Sequence, residues 1–305
     1  MLPFFCLSPK VFTFGAFVNE PFGYIQAFDM SFTIIEQSVV GKYGDASRCE
    51  DALVVTPFFA AVVDGATSKC DLSFDGKTTG RLASELLSGV IRSLPYDATM
   101  SEFIDEANRV FMDFYCRNGL RERVVSEPQC RLSASVAIYG DTRREVWTVG
   151  DCRLRIGDEV YIPEKSVDLR LAQKRAEMIE RYLSQGGNLD SLIFEDVGRK
   201  TIEEDLRRQM FAQNNPSSID AYGVIDGFTP YNPDVRCYEV SVGTEVILTT
   251  DGYPYLYPTL EESERYLRMI LQEDPLCFRQ YKTTKGKGVG QSSFDDRAYI
   301  RLHTE

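Results

Sequence analysis

The chain has 305 residues, 43% of them apolar and 26% charged, the composition of a globular protein able to bury a sizeable core. Its 46 acidic residues outnumber 34 basic ones for a net charge of −12, and no Lys/Arg stripe interrupts them, which argues against nucleic acid and anionic membranes as partners. An anionic substrate could enter such a field only where something strongly positive, such as bound metal, offsets it.

In chain order, the first stretch, MLPFFCLSPKVFTFGAFVNE, is apolar but broken by Pro3, Pro9, Lys10 and Gly15. It lacks the basic start of a signal peptide and is too interrupted for a membrane helix. A regular pattern begins at Met30, so residues 1–29 read as an extension and 30–305 as the main domain. SFTIIEQSVV, ALVVTP and FFAAVVDG are short β-rich runs separated by turn residues. KTTGRLASELLSGVIRSL carries Leu82, Leu86, Leu87, Val90 and Ile91 at helical spacing. A second helix is expected over MSEFIDEANRVFMDFYCRN, with Ser101 as its N-cap.

RLSASVAIYG, EVWTVGDCRLRIG and DEVYIP then predict three consecutive hairpin-connected strands. Two helices follow, VDLRLAQKRAEMIERYLSQGG ended by paired glycines and TIEEDLRRQMFAQN closed by NNPSS. They form a charged helical insertion at about 168–218. The chain ends with strands DVRCYEVSV and TEVILTTDG, a helix LEESERYLRMILQ and a final strand RAYIRL. Strands and helices alternate in blocks, which fits an α+β antiparallel sandwich flanked by helices. The eight cysteines form no CxxC pair, so a zinc ribbon is unsupported. Reduced thiols, a cytoplasmic location and a monomeric state are the expectations for a chain that needs no staples.

Acidic residues recur at strand ends: Asp64 in FFAAVVDG, Asp251 in VILTTDG, Asp151 in REVWTVGD, Glu50 and Asp51 in CEDALVV, and Asp295 and Asp296 in SSFDDRAYIRL. One Asp-Gly after a strand is ordinarily a turn. Several such ends brought together would accumulate like charge that only cations relieve, and hard Mg²⁺ or Mn²⁺ prefer such oxygen ligands. The glycines after Asp64 and Asp251 would allow tight turns and expose backbone groups.

The order CEDALVV, FFAAVVDGAT, LSASVAIY, VWTVGDCRL, VILTTDGY and SSFDDRAYI resembles the PPM-type (type 2C) metal-dependent serine/threonine protein phosphatases, from about Met30 to Leu302. The resemblance implies a four-layer α-β-β-α sandwich with a dinuclear metal centre at one end. It also implies two Mn²⁺ or Mg²⁺ ions, a third weaker site, and a phosphoserine or phosphothreonine protein as substrate. Carried over, Asp64 resembles the carboxylate that bridges both ions, with the Gly65 carbonyl as a further ligand. Asp251 and Asp295 resemble ligands of one ion, and Glu50 fills the neighbouring role. Asp51 resembles the residue that orients water, and Asp151 the third-site ligand.

Three departures stand out. Ala46 occupies the position of a phosphate-contacting Arg, for which Arg48 is the nearby substitute; its plainer reading is an exposed loop charge. Ala66 follows Asp-Gly where many members have His, and the single histidine, His303, reads as a surface residue. Cys152 stands where Ser is usual, without the HCx₅R loop of thiol phosphatases, and reads as a buried small residue. Trp147 reads as core packing, and Asp296 as a turn cap. A phosphoprotein-binding scaffold with weak catalysis, or a phosphatase of small phosphoesters, are the alternative readings.

Overall fold

The computed structural model describes residues 31–305. The extension expected over 1–29, and the domain start expected at Met30, lie outside them. Among the described residues, ten strands form two antiparallel sheets of five. Sheet 1 runs in the order β1 (Phe32–Val40), β10 (Arg297–Thr304), β9 (Glu245–Thr249), β6 (Arg153–Ile156), β7 (Glu159–Tyr161). Sheet 2 runs β2 (Asp51–Val55), β3 (Phe59–Ala66), β4 (Ser133–Gly140), β5 (Glu145–Val149), β8 (Val235–Glu239).

The period of two along each strand decides the layers. On β3, Ala60 and Val62 point to the space between the sheets, where Ala137, Tyr139, Leu248, Ala298, Ile300 and Leu302 meet them. The alternate residues Phe59, Ala61 and Val63 point outward onto the helices α1 (Thr79–Ser93) and α2 (Met100–Arg117), against Leu87, Ile91, Phe103 and Phe111. On the far side, Ile247 and Tyr299 pack with Tyr253 and with Leu260, the first residue of α6 (Leu260–Glu273). The result is the helix–sheet–sheet–helix order expected. Each fully buried Leu, Ile or Phe in it contributes about 1.5–3 kcal/mol. Trp147 is buried against Phe59, and Cys152 is buried between the sheets, both as expected.

Local readings differ in places. The N-cap of α2 is Thr99 rather than Ser101: Thr99 and Glu102 form a reciprocal capping box, and Ser101 already lies inside the helix. A short helix, α3 (Arg121–Ser126), carries too few periodic residues to be seen in advance. The three strands expected as successive hairpins are not one meander. β5 pairs with β4 in sheet 2, whereas β6 pairs with β9 in sheet 1. The chain crosses between sheets at Gly150, whose φ of +94° favours glycine and whose added Cβ would meet Ser135 Oγ.

Between β7 and β8 lie α4 (Ser166–Ser184) and α5 (Val197–Gln209), a pair that packs through Leu171, Ile202 and Leu206. Arg175 of α4 is fully buried and ties this pair to the loop before β10 through Cys277 O at 3.1 Å and Leu276 O at 2.7 Å. No helix among the described residues is long and apolar enough to cross a membrane.

Candidate active site

One end of the sandwich collects the acidic strand termini from both sheets. In sheet 2, Asp51 opens β2 and stands directly opposite Asp64 of β3, which in turn stands opposite Ser135 of β4. Ser135 Oγ donates to Asp151 Oδ1 at 2.6 Å, so the sheet crossing at Gly150 delivers Asp151 to the same row. In sheet 1, Asp251 follows β9 and Asp295 precedes β10, and the two strands are paired neighbours.

Glycine does different work here from that expected. Gly65 lies within β3, not in a turn, and neither it nor Gly252 has a positive φ. A Cβ on Gly65 would lie 2.2 Å from Gly80 O of α1, and one on Gly252 would lie 2.1 Å from Asp296 O. The glycines let backbones approach, which pulls α1 against β3 and β9 against the start of β10.

The electrostatics follow from this crowding. Burial, then the charges of Asp251 and Asp51, push the Asp64 carboxyl well above the usual range. Burial and Asp295 do the same to Asp51, and burial and Asp295 raise Asp251 to about 6. Other members of the row have cationic partners. Lys165, the residue before α4, places Nζ 2.8 Å from Asp151 Oδ2. Lys285 reaches Asp295 at 2.6 Å, and Lys42 lies 2.9 Å from Asp296, 3.6 Å from Asp295 and 3.7 Å from Glu50. Although burial opposes ionisation, Lys165 and Ser135 hold Asp151 below its ordinary value, and Lys285 and Lys42 do so for Asp295.

Asp51, Asp64 and Asp251 have no ion pair among the described residues, and Asp51 Oδ2 is buried without a hydrogen-bond partner. Three carboxylates in mutual repulsion, with the Gly65 backbone alongside, are an oxygen-only donor set deficient in positive charge. That chemistry fits a hard divalent cation. No three His, Cys, Asp or Glu side chains among the described residues form a closed metal cage as they stand.

Glu50, Asp64, Gly65, Asp151, Asp251 and Asp295 line one cavity of about 290 Å³. Asp51 is buried behind that lining, 6% exposed. Glu50 accepts from the hydroxyls of Thr67 and Thr78. Arg48 does not line the cavity: its guanidinium lies 3.7 Å over the Tyr43 ring on an exposed turn, the plainer of its two readings. His303 sits at the other end of β10, paired with Thr33 and Glu245. Asp296 is more than a turn cap. It is 2% exposed and accepts from Lys42 N at 2.7 Å and Glu50 N at 3.2 Å, bracing the Glu-Asp loop against β10.

Lys42, Lys165 and Lys285 went unnoticed in the sequence. The available signal was charge balance, since a buried row of carboxylates requires cations somewhere in the same fold.

No family model matches the chain, and no curated protein matches it. Among solved structures it is similar to the serine/threonine phosphatase PstP/Ppp of Mycobacterium tuberculosis, at 14% identity over 90% of this chain and 99% of that one, TM-score 0.44. It is similar to the serine/threonine phosphatase of S. agalactiae, at 12% identity over 90% and 100%, TM-score 0.44. The same holds for the serine/threonine phosphatase Stp1 from Staphylococcus aureus, at 13% identity over 90% and 94%, TM-score 0.43. Likeness at this level does not transfer an activity.

Proposed function

We propose that the chain is a metal-dependent phosphomonoester hydrolase acting on phosphoserine or phosphothreonine in proteins. The observation that carries this reading is the set Asp51, Asp64 and Asp251, three crowded carboxylates from two sheets, the first buried and the other two half-buried at the cavity wall, with no ion pair among the described residues. Asp64, Asp251, Asp295, Glu50 and the Gly65 carbonyl would hold two Mn²⁺ or Mg²⁺ ions, with Asp151 toward a third. When bound, the ions would supply the Lewis acidity that activates water and offsets phosphoryl charge.

The chain's own residues supply the rest. Asp51 Oδ2 has no hydrogen-bond partner and is the acceptor left to orient a water or take its proton. Asp296 and Lys42 fix the loop that carries Glu50. In the net reaction water oxygen bonds to phosphorus, the ester P–O bond breaks, and the products are the free hydroxyl and inorganic phosphate.

The test is hydrolysis of p-nitrophenyl phosphate by the purified chain with Mn²⁺, beside Asp64→Asn and a chelator blank. Metal-dependent turnover that disappears in Asp64→Asn supports the reading, and folded protein without turnover in Mn²⁺, or in Mg²⁺ in its place, sinks it. Phosphopeptide competition separates a protein phosphatase from a phosphatase of small esters. A second reading, a phosphoprotein-binding scaffold, is favoured by one observation: Lys42, Lys285 and Lys165 already neutralise Asp295 and Asp151. It predicts phosphopeptide binding without turnover.

A further inference from the structure

The cavity has a second, cationic side. Lys69 comes from the loop after β3, Arg199 from the first turn of α5 and Lys285 from the loop before β10, and all three line it together. Lys285 is engaged by Asp295. The other two have no ion pair among the described residues. Lys69 Nζ donates only to the Thr67 carbonyl, at 3.2 Å. Arg199 spends one nitrogen on the Thr284 carbonyl at 2.8 Å, which leaves the rest of its fork free.

The acid that caps the helix of Arg199 is already spent. Asp196 caps α5 through the Arg199 backbone N–H at 2.8 Å and pairs with Arg175 at 2.7 Å. Burial, Arg199 and Lys285, in that order, push Lys69 down to about 8, so the cations repel one another. Glu50 and Asp168 share the cavity and offset part of this repulsion, but neither forms an ion pair with Lys69 or Arg199 among the described residues, so an anion bound between the two cations would relieve what remains. Both are held in place: the Lys69 backbone N–H bonds Gln129 O at 2.9 Å, and Arg199 is anchored at both ends of its side chain. A point charge beside a planar fork matches an oxyanion with several equivalent oxygens, such as a phosphoryl group.

We infer that Lys69 and Arg199 form the anion subsite of this cavity and bind the phosphoryl oxygens of a phosphomonoester. This inference rests on the proposed phosphatase reading for its substrate, but its ligand is testable separately. It assigns to α5 of the helical insertion, rather than to the loop of Arg48, the residue that grips phosphate.

The experiment titrates inorganic phosphate into wild type, Lys69→Gln, Arg199→Gln and Arg199→Lys by calorimetry, with and without Mg²⁺, after thermal melts confirm folding. Each Gln variant should weaken phosphate binding on the order of tenfold, as expected for loss of a charge-assisted hydrogen bond, with Arg199→Lys partly rescued. With p-nitrophenyl phosphate and with a phosphopeptide, KM should rise by a similar factor and the Mg²⁺ concentration for half-activation should stay put. Phosphate binding equal to wild type in both Gln variants overturns the subsite, as does a wild type that binds no phosphate in either buffer. An effect confined to the phosphopeptide also overturns it, since the pair would then read the peptide and not the phosphoryl group. Loss of phosphate binding in the variants of a protein without turnover would sustain the subsite and remove the catalytic reading instead.

Discussion

Asp51 and Asp64 face each other as directly paired residues of the β2–β3 ladder, a buried and a half-buried carboxylate on adjacent strands with no ion-pair partner for either among the described residues. Like charges placed across a ladder are destabilising, and here burial amplifies the effect. The pairing survives because β3 is a tightly packed apolar strand, with Ala60, Ala61, Val62 and Val63 all buried, and Val54 of β2 is buried beside it.

Asp64→Asn should therefore raise the melting temperature of the metal-free protein. A gain of about 1 kcal/mol, a shift of roughly 2–4 °C, is the expected scale. Wild type should gain stability on adding Mn²⁺ and the variant should gain much less. Melts in chelator and in Mn²⁺ check both halves. A variant that melts below wild type in chelator would show that the carboxylate is compensated in some other way.

The buried Arg175 holds Asp196, Leu276 O, Cys277 O and Thr283 O. Arg175→Met should destabilise the protein by about 3 kcal/mol or more, because it strands a carboxylate and three carbonyls. Denaturant unfolding measures the loss. A change under about 1 kcal/mol would mean that water replaces the guanidinium in full.

Glycine positions should split by what surrounds them. Gly65→Ala and Gly252→Ala each drive a methyl into backbone, at 2.2 Å from Gly80 O and 2.1 Å from Asp296 O, and should cost about 1–3 kcal/mol or more. Gly89→Ala in α1 meets nothing within 4 Å and should stabilise by roughly 0.5–1 kcal/mol. The same unfolding curves test all three, and equal effects would refute the close-approach role.

Glu264 accepts two bonds from Arg297, at 2.6 and 3.0 Å, and one from Tyr253 at 2.8 Å. Burial pushes its carboxyl up, but these partners outweigh burial and hold it below the ordinary 4.5. A lowered folded value means stability present above the unfolded value and lost as pH falls through the folded one. Wild type should exceed Glu264→Gln by about 1–3 kcal/mol near neutral pH. The gap should close only in acid, below the ordinary 4.5. Unfolding free energies across that range test it, and a gap independent of pH would assign the effect to packing.

Much of the architecture is legible locally, because strand and helix periods are properties of short windows. The continuous apolar run in FFAAVVDG specifies a strand with two buried faces, and the spacing of Leu87, Val90 and Ile91 specifies a helix with one. Thr99 and Ser101 offer the same hydroxyl two residues apart; only the reciprocal bond from Glu102 singles out Thr99 as the N-cap. The β5–β6 crossing was invisible for a related reason. A glycine between two apolar runs marks a turn without saying whether the next strand stays in the same sheet.

By itself the sequence determined the strands and the longer helices, α3 excepted, and that acidic residues stand at the strand ends, since those facts depend on neighbours a few positions apart. Tertiary structure alone decided which of those ends meet. It set Asp51 and Asp64 of one sheet beside Asp251 and Asp295 of the other. It brought Lys42 to Asp296 across 254 residues, and it turned Arg48 away onto Tyr43. Charge acts through distance in space, so the compensation of each carboxylate is settled only once the two sheets have packed.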